Sequence, residues 1–318
     1  MTAYPARRTA HSRYLPVRGL RYHLSQWGEP TPGQPLLLML HGFMDVGASF
    51  QFVVDAMHDG RCIVAPDWRG FGLTDCPAAD SYWFADYLGD LDALVDALSP
   101  GAPVDLLGHS MGGNVAMTYA GVRPQRVRRL VNLEGFGLPD HPPAEAAKRL
   151  ATWLDEIKTP PRLKPYASRA DVAQRLRQNN PRLADDKAWW LAGHWAAQQA
   201  DGTWHLRADA AHKRINPVPN RATEAVAIWS AISAPLLWVQ GAGSRLDGYW
   251  GGRYTHAEFQ ARLAHVADVQ QVLLDDAGHM LHHDQPEALA RALDRFLDGV
   301  VDGVADGVVD GVADGPPA

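Results

Sequence analysis

Leu106-Leu-Gly-His-Ser-Met-Gly-Gly113 contains the pattern G-x-S-x-G, centred on Ser110. This pattern places a serine on a tight turn between a strand and a helix. The turn crowds the backbone around the serine, and glycine on both sides relieves the clash that larger side chains would cause. The apolar run 104–107 before the pattern suits a buried strand, and residues 111–122 after it have helix-like spacing. The context therefore predicts that Ser110 is a nucleophile.

A serine hydroxyl is a poor nucleophile at neutral pH, so it needs a base to take its proton and an acid to orient that base. The candidate base is His279, which follows Gly278 and the strand-like run 269–274. A histidine after the last strand suits the chain order serine, acid, histidine. An ordinary solvated loop histidine is the alternative. We interpret His282 and His283 as rim or surface residues, because neither directly follows the glycine that lets the loop turn.

The sequence also contains candidate donors for an oxyanion hole. The apolar run 36–40 ends in His41-Gly42-Phe43, where the chain is able to turn its amides toward the serine. Acyl transfer needs two N–H groups aimed at the developing oxyanion. We predict that the N–H groups of Phe43 and Met111 are these donors. His41 is interpreted as a strand-end histidine that hydrogen-bonds the loop.

Four motifs occur along the chain in the order His41-Gly-Phe, Asp67-Trp-Arg-Gly-Phe-Gly72, Gly108-His-Ser-Met-Gly112 and Gly278-His279. In this order they resemble the α/β-hydrolase superfamily, over roughly residues 15–298. Within it, the chain looks like the single-domain group that contains serine esterases, haloalkane dehalogenases, epoxide hydrolases and C–C bond hydrolases. The resemblance implies an α/β fold with a mostly parallel eight-stranded sheet, flanked by helices, and a helical cap inserted after the sixth strand.

The acid of the triad has two candidate positions. In most members of the superfamily it follows the next-to-last core strand, here residues 235–240, where Ser244 stands in roughly the usual place and Asp247 comes later. The superfamily also uses the end of the strand after the nucleophile helix, where this chain has Glu134. A carboxylate at a buried strand end is costly unless it is paired. We favour Glu134, keep Asp247 as the alternative acid, and note that a structural glutamate bonding loop amides fits the same position.

The nucleophile type restricts the chemistry. Dehalogenases and epoxide hydrolases of this superfamily use an aspartate, so Ser110 excludes both, and Tyr166 is the only tyrosine between residues 138 and 233, whereas epoxide hydrolases need two. We expect a serine esterase that cleaves a small or medium carboxylic ester. A lactonase, thioesterase or C–C hydrolase with the same triad is the alternative, and a non-catalytic ligand receptor is the alternative from another class. No H-x-H or H-E-x-x-H pair occurs, so we expect no metal and no cofactor.

Composition sets further limits. A chain of 318 residues with 46% apolar residues is large enough for one α/β core and an insertion. The net charge of −6 argues against nucleic acid as a partner. The two cysteines, Cys62 and Cys76, fit a reducing compartment. No apolar run approaches the roughly 20 residues of a membrane span, and none follows the N-terminal arginines, so we predict a cytoplasmic protein without a membrane partner. The sequence says nothing of the oligomeric state.

Alternating strand-like and helical runs predict the domain organisation. Core segments at 1–137 and 234–298 flank a cap at 138–233, which contains six of the eleven tryptophans, and we expect one or two of these to line the pocket. Residues 299–318 repeat Asp-Gly-Val and are predicted to be a disordered tail. The predicted strands are 17–27, 35–40, 62–65, 104–107, 129–134, 235–240 and 269–274, and the predicted helices include 83–98, 111–122 and 286–297.

Overall fold

The structure is a computed structural model that describes residues 3–299. Eight strands form one sheet, and two further strands form a separate hairpin. In chain order the strands are β1 His11–Val17, β2 Leu20–Trp27, β3 Leu37–Leu40, β4 Ile63–Pro66, β5 Val104–His109, β6 Val127–Leu133, β7 Ala196–Gln198, β8 Trp204–Leu206, β9 Leu236–Gly241 and β10 Val269–Leu274.

The large sheet has the order β1-β2-β4-β3-β5-β6-β9-β10. Pairing is antiparallel at β1–β2 and β2–β4 and parallel from β4 through β10. The central strands β3, β4 and β5 are buried along their whole length, as expected for parallel strands covered on both faces. The predicted α/β-hydrolase fold with a mostly parallel eight-stranded sheet is confirmed.

Helices cover both faces of the sheet. They are α1 Gln51–Ala56, α2 Phe84–Leu98, α3 Met111–Val122, α4 Ala146–Lys158, α5 Arg169–Asn179, α6 Asp185–Trp195, α7 Ala222–Trp229, α8 Leu246–Tyr249, α9 His256–Leu263, α10 Leu281–Asp284 and α11 Pro286–Asp298. One apolar cluster joins α2, α3 and α9 to the sheet, and another joins α1 and α11 to it. The sheet is therefore the middle of three layers.

The first predicted strand differs from the structure. The run 17–27 was predicted as one strand, whereas the chain turns at Arg18 and Gly19, which have φ of 46° and 81°. The turn separates β2 from β1, a strand that the sequence did not indicate. The side chains of β1 are mostly exposed and polar, so it lacks the alternation that marks a half-buried strand.

The insertion between β6 and β9 contains α4 to α7, in agreement with the predicted helical cap after the sixth strand. It also contains the β7–β8 hairpin, which was not predicted, because each strand has only three residues around the turn at Gly202. We keep 138–233 as the proposed bounds of this insertion.

Helix α11 is closed by Gly299, which has the left-handed conformation (φ 76°). The predicted tail lies, from residue 300 onward, outside the described residues. Among the described helices, none combines the length and apolar character that a membrane crossing requires.

Candidate active site

Ser110 lies between the end of β5 and the start of α3, with φ 52° and ψ −114°. A non-glycine residue with positive φ is strained, and such strain is typical of functional turns. A Cβ atom at Gly108 would overlap with the carbonyl of Gly112, and one at Gly112 would overlap with the carbonyl of Leu40. Both glycines are therefore required for this tight turn, which turns the serine away from the sheet.

Ser110, His279 and Glu134 lie together in a hydrogen-bonded chain. The Nε2 atom of His279 is 3.0 Å from Oγ of Ser110, and its Nδ1 atom is 3.2 Å from Oε2 of Glu134. Because an ionised carboxylate only accepts, Nδ1 carries the proton and Nε2 accepts from the serine hydroxyl. The His279 side chain is 47% exposed, whereas that of Glu134 is fully buried. The His279 ring is thus partly exposed to solvent, and the buried carboxylate of Glu134 fixes its orientation.

Two further donors hold the Glu134 carboxylate. The backbone N–H of Gly241 donates to Oε1 at 2.7 Å, and the hydroxyl of Ser244 donates to Oε2 at 2.5 Å. Three donors therefore compensate for burial of this carboxylate. The sequence analysis did not assign this role to Ser244. The available signal was its position, because most members of the superfamily have the triad aspartate there.

Asp247, the alternative acid, lies in α8 and is exposed. Its carboxylate accepts from the backbone N–H of His256 at 2.7 Å. It is not among the hydrogen-bond partners that His279 has within residues 3–299. The structure thus brings Glu134, and not Asp247, to the histidine.

Phe43 and Met111, whose N–H groups are the predicted oxyanion donors, belong to segments next to the serine, and their role stays a prediction. A Cβ atom at Gly42, the residue before Phe43, would lie 3.2 Å from Cβ of Ser110, so this loop passes directly beside the serine. Met111 is the first residue of α3, and the first N–H groups of a helix have no partner within it. His41 fixes the loop: its Nε2 atom accepts from the N–H of Trp68 at 2.9 Å, so its Nδ1 donates to the carbonyl of Gly42 at 2.8 Å.

The prediction that His282 and His283 are rim or surface residues is wrong. They are 0% and 3% exposed, because the short helix α10 directs both inward. His283 packs against Phe52 and shares a 2.7 Å hydrogen bond with Ser49. Burial lowers the pKa of His283 to about 3, so the ring is neutral and packs as an aromatic. The polar sequence around them gave no sign of this packing.

A second carboxylate, missed by sequence reasoning, positions the histidine loop. Asp284 accepts from the backbone N–H of Gly278 at 2.9 Å, next to His279. Its other oxygen accepts from the side chain of Asn180, which follows α5 in the insertion, at 2.7 Å. Asp284 therefore links the histidine loop to the insertion.

The serine and the histidine open into a cavity of about 1080 Å³ between the core and the insertion. Phe43 lines it from the core side. Of the six tryptophans in the insertion, Trp195 lines the cavity, in agreement with the expected one or two. Other residues of the insertion that line it include Leu163, Lys164, Tyr166, Arg175 and Lys213.

A sequence model of the family described as alpha/beta hydrolase fold matches residues 35–286. The chain therefore belongs to this family of hydrolases. It is 30% identical over 285 residues to the 3-hydroxybutyrate-oligomer hydrolase of Cupriavidus necator, covering 86% of this chain and 91% of the relative.

Two further similarities are to a relative that is matched over a shorter segment and to a solved structure with the same fold. A cis-3-alkyl-4-alkyloxetan-2-one decarboxylase of Shewanella oneidensis is 32% identical over 145 residues, 44% of this chain and 43% of the relative. The match with this relative thus spans less than half of its length. The solved thioesterase domain from the curacin biosynthetic pathway superposes with a TM-score of 0.77 at 26% identity, covering 90% of this chain and 99% of that domain.

Proposed function

We propose that this protein is a serine hydrolase that cleaves a carboxylic ester through an acyl-enzyme on Ser110. The observation that carries the proposal is the chain of hydrogen bonds from Ser110 through His279 to Glu134. A buried, hydrogen-bonded carboxylate behind a histidine beside a serine is the arrangement that activates a serine hydroxyl.

The proposed reaction has two halves. Ser110 attacks the ester carbonyl while His279 takes its proton, and Glu134 orients the ring and stabilises the imidazolium. The N–H groups of Phe43 and Met111 hold the oxyanion. His279 then protonates the leaving alcohol. In the second half it activates a water molecule that releases the acid and frees Ser110.

The cavity favours a substrate with negative charge. Lys164, Arg175 and Lys213 line it, and none of them takes part in an ion pair found among residues 3–299. Two carboxylates also line the cavity: Asp171 accepts from Ser168, and Asp45 accepts from Val46 and Trp195. We therefore propose that the substrate is an ester with a free carboxylate, such as an oligomer of a hydroxy acid, as the name of the Cupriavidus relative suggests.

The first test is hydrolysis of nitrophenyl esters with acyl chains of two to sixteen carbons, by the wild type and Ser110→Ala. We expect turnover that peaks at short chains and falls by at least about 10⁴-fold in the variant. A fluorophosphonate probe, followed by peptide mass spectrometry, should modify Ser110. Modification without ester turnover would move the proposal to a lactone, thioester or C–C substrate. Neither modification nor turnover would favour a receptor.

The second test compares a 3-hydroxybutyrate dimer with its methyl ester, which lacks the charge. We expect KM to be about tenfold lower for the free acid, because an interaction with an anion that is partly removed from water gives roughly 1.4 kcal/mol. In Arg175→Gln and Lys213→Gln this preference should decrease while kcat stays constant. Equal KM values for both substrates would contradict the charged-substrate proposal and leave the esterase proposal intact.

A further inference from the structure

A cluster of three buried side chains lies directly behind the candidate nucleophile. Asp45 follows the oxyanion loop, His109 precedes Ser110, and His282 belongs to α10. All three are at most 3% exposed, and one potential ligand atom from each lies within 4.8 Å of the other two. We call these residues the His–Asp cluster. Neither the proposed mechanism nor the sequence motifs use it as a unit.

The polar atoms of this cluster lack partners. Oδ2 of Asp45, Nδ1 of His109 and both ring nitrogens of His282 are buried without a hydrogen-bond partner in the part of the chain that the structure describes. More than nine in ten buried polar groups in proteins have a partner, because desolvation without one costs about 1–3 kcal/mol. One potential ligand atom from each of the three residues lies within 4.8 Å of the other two, so a single partner between them would satisfy all three side chains.

The hydrogen bonds around the cluster show which of these atoms are acceptors. Nε2 of His109 is 2.8 Å from the carbonyl oxygen of His279, so the ring proton is on Nε2 and Nδ1 presents a lone pair. The other carboxylate oxygen of Asp45 already accepts from the N–H groups of Val46 and Trp195, at 2.9 Å and 2.8 Å. These bonds leave Oδ2 facing the cluster. Two acceptors thus face one centre, and the ring of His282 lies beside them, with its Nε2 atom 3.9 Å from Oδ2 of Asp45.

Burial favours a cation at this centre. All three side chains are buried, and Oδ2 of Asp45 has no hydrogen-bond partner among the described residues, which is costly for a carboxylate without a positive charge or a proton beside it. A divalent ion would compensate the carboxylate charge and use the lone pairs of both imidazoles.

We propose that Asp45, His109 and His282 bind one divalent transition-metal ion of the zinc type. Two imidazole nitrogens and one carboxylate oxygen form a ligand set that zinc accepts, with the fourth position left for water. Tetrahedral ligands at zinc distances lie about 3.3 Å apart. The ligand atoms are up to 4.8 Å apart and must move closer together to bind one ion. Hydrogen bonds fix Asp45 and His109, so this change requires mainly a rotation of the His282 ring.

Such an ion joins three parts of the site. It ties the oxyanion loop, the residue before the nucleophile and helix α10 together, and Asp45 extends the link to Trp195 of the insertion. His109 and Asp45 line the large cavity, which gives the ion a route of entry. The ion has no step in the ester hydrolysis proposed above. The inference is therefore independent of that function. The role of the ion is to stabilise the folded site.

Metal binding is tested on the full chain after treatment with a chelator and its removal. Titration calorimetry with ZnSO₄ should show one site. Zinc at a hundredfold excess over Kd should raise the Tm by about 4 °C or more, and MgCl₂ should not. CoCl₂ should give the visible absorption bands of a low-coordinate cobalt site. An equal Tm shift with magnesium would contradict a transition-metal site.

Variants identify the ligands. Asp45→Asn and His282→Gln should each lose the zinc-dependent Tm shift and the cobalt bands. His265→Gln, at an exposed histidine, and His279→Ala, at the triad, should keep both. Asp45→Asn conserves shape and decides the matter if His282→Gln does not fold. The proposal is overturned if zinc leaves the wild-type Tm unchanged, if Asp45→Asn responds as the wild type does, or if His279→Ala abolishes binding.

Discussion

The sheet and the insertion contribute to the same cavity by different means. Ser110, Glu134 and His279 follow β5, β6 and β10, and their positions are fixed by buried parallel strands. The insertion has a weaker apolar core of its own, and its first helix, α4, has no buried residue. The comparison teaches that the reacting groups are held rigidly. The wall that contacts the rest of the substrate is held by a smaller apolar cluster, which includes Phe52 of the core, and by polar contacts.

Three of those polar contacts lie near the catalytic residues. Asn180 donates to Asp284, Trp195 donates to Asp45, and Lys187 donates to the carbonyl of His283. All three end beside the histidine loop or the oxyanion loop. The insertion is also attached elsewhere, where Tyr82 donates to Asp209 and Trp153 donates to Ser81. Because of the three contacts beside the loops, a change in its position reaches the site directly.

The largest expected effect separates the two candidate acids. Glu134→Gln should lower kcat by about 10³–10⁴-fold, because the amide cannot stabilise the imidazolium and favours the wrong tautomer. Asp247→Asn is the matched control and should stay within about twofold of the wild type. Steady-state ester hydrolysis measures both. A loss in Asp247→Asn with an active Glu134→Gln would reverse the assignment.

The next effect concerns stability in the two regions. Leu130→Ala in β6, at a fully buried position, should lower the free energy of unfolding by about 2–5 kcal/mol. Leu150→Ala in α4, where the side chain is 47% exposed, should change it by less than about 0.5 kcal/mol. Urea unfolding followed by tryptophan fluorescence compares them. An equal cost at Leu150 would show that α4 is covered in solution.

Acid should destabilise the core through its neutral histidines. Burial lowers the pKa of His283 to about 3 and that of His41 to about 4, below the unfolded value near 6.5. The unfolded chain therefore binds more protons, and stability decreases as the pH falls below about 6.5. At pH 5 each group should cost about 2 kcal/mol.

Thermal unfolding between pH 7.5 and 5 tests this pH dependence. His283→Gln should weaken the loss of stability on acidification. His205→Gln, at an exposed histidine of the insertion, should follow the wild type. If His283→Gln keeps the full pH dependence, His283 is not neutral in the folded protein.

The smallest effect concerns the contact between the two regions. Trp195→Phe keeps an aromatic ring but removes the N–H that donates to Asp45, which should cost about 1–2 kcal/mol of stability. KM should rise as well, because Trp195 lines the cavity. Trp189→Phe is the control, since no hydrogen bond of its indole is found within residues 3–299. Equal changes in stability and KM for both variants would show that ring packing, rather than the hydrogen bond, attaches the insertion.

Local patterns predicted most of the fold. Continuous apolar runs marked the central strands, and the glycines beside Ser110 marked the turn, because both signals depend on neighbours in sequence. The exposed strand β1 and the β7–β8 hairpin have neither a continuous apolar run nor a motif that predicts them. Their form depends on pairing with another strand.

The site was less predictable where distant residues meet. The inward direction of His282 depends on how α10 packs. The contact between Ser244 and Glu134 joins residues 110 positions apart. The His–Asp cluster has no short motif, because its three residues come from separate parts of the chain.

The hydrogen bond between Ser244 and Glu134 has an evolutionary consequence. Strands β6 and β9 are neighbours, so a negative charge at the end of either one is close to the same imidazole. Ser244→Asp alone would set two carboxylates against each other, and they would have to share a proton. Combined with Glu134→Gln, it would move the charge across one strand while Ser110 and His279 stay in place. Residues 134 and 244 are thus two interchangeable seats for a single carboxylate beside the same imidazole.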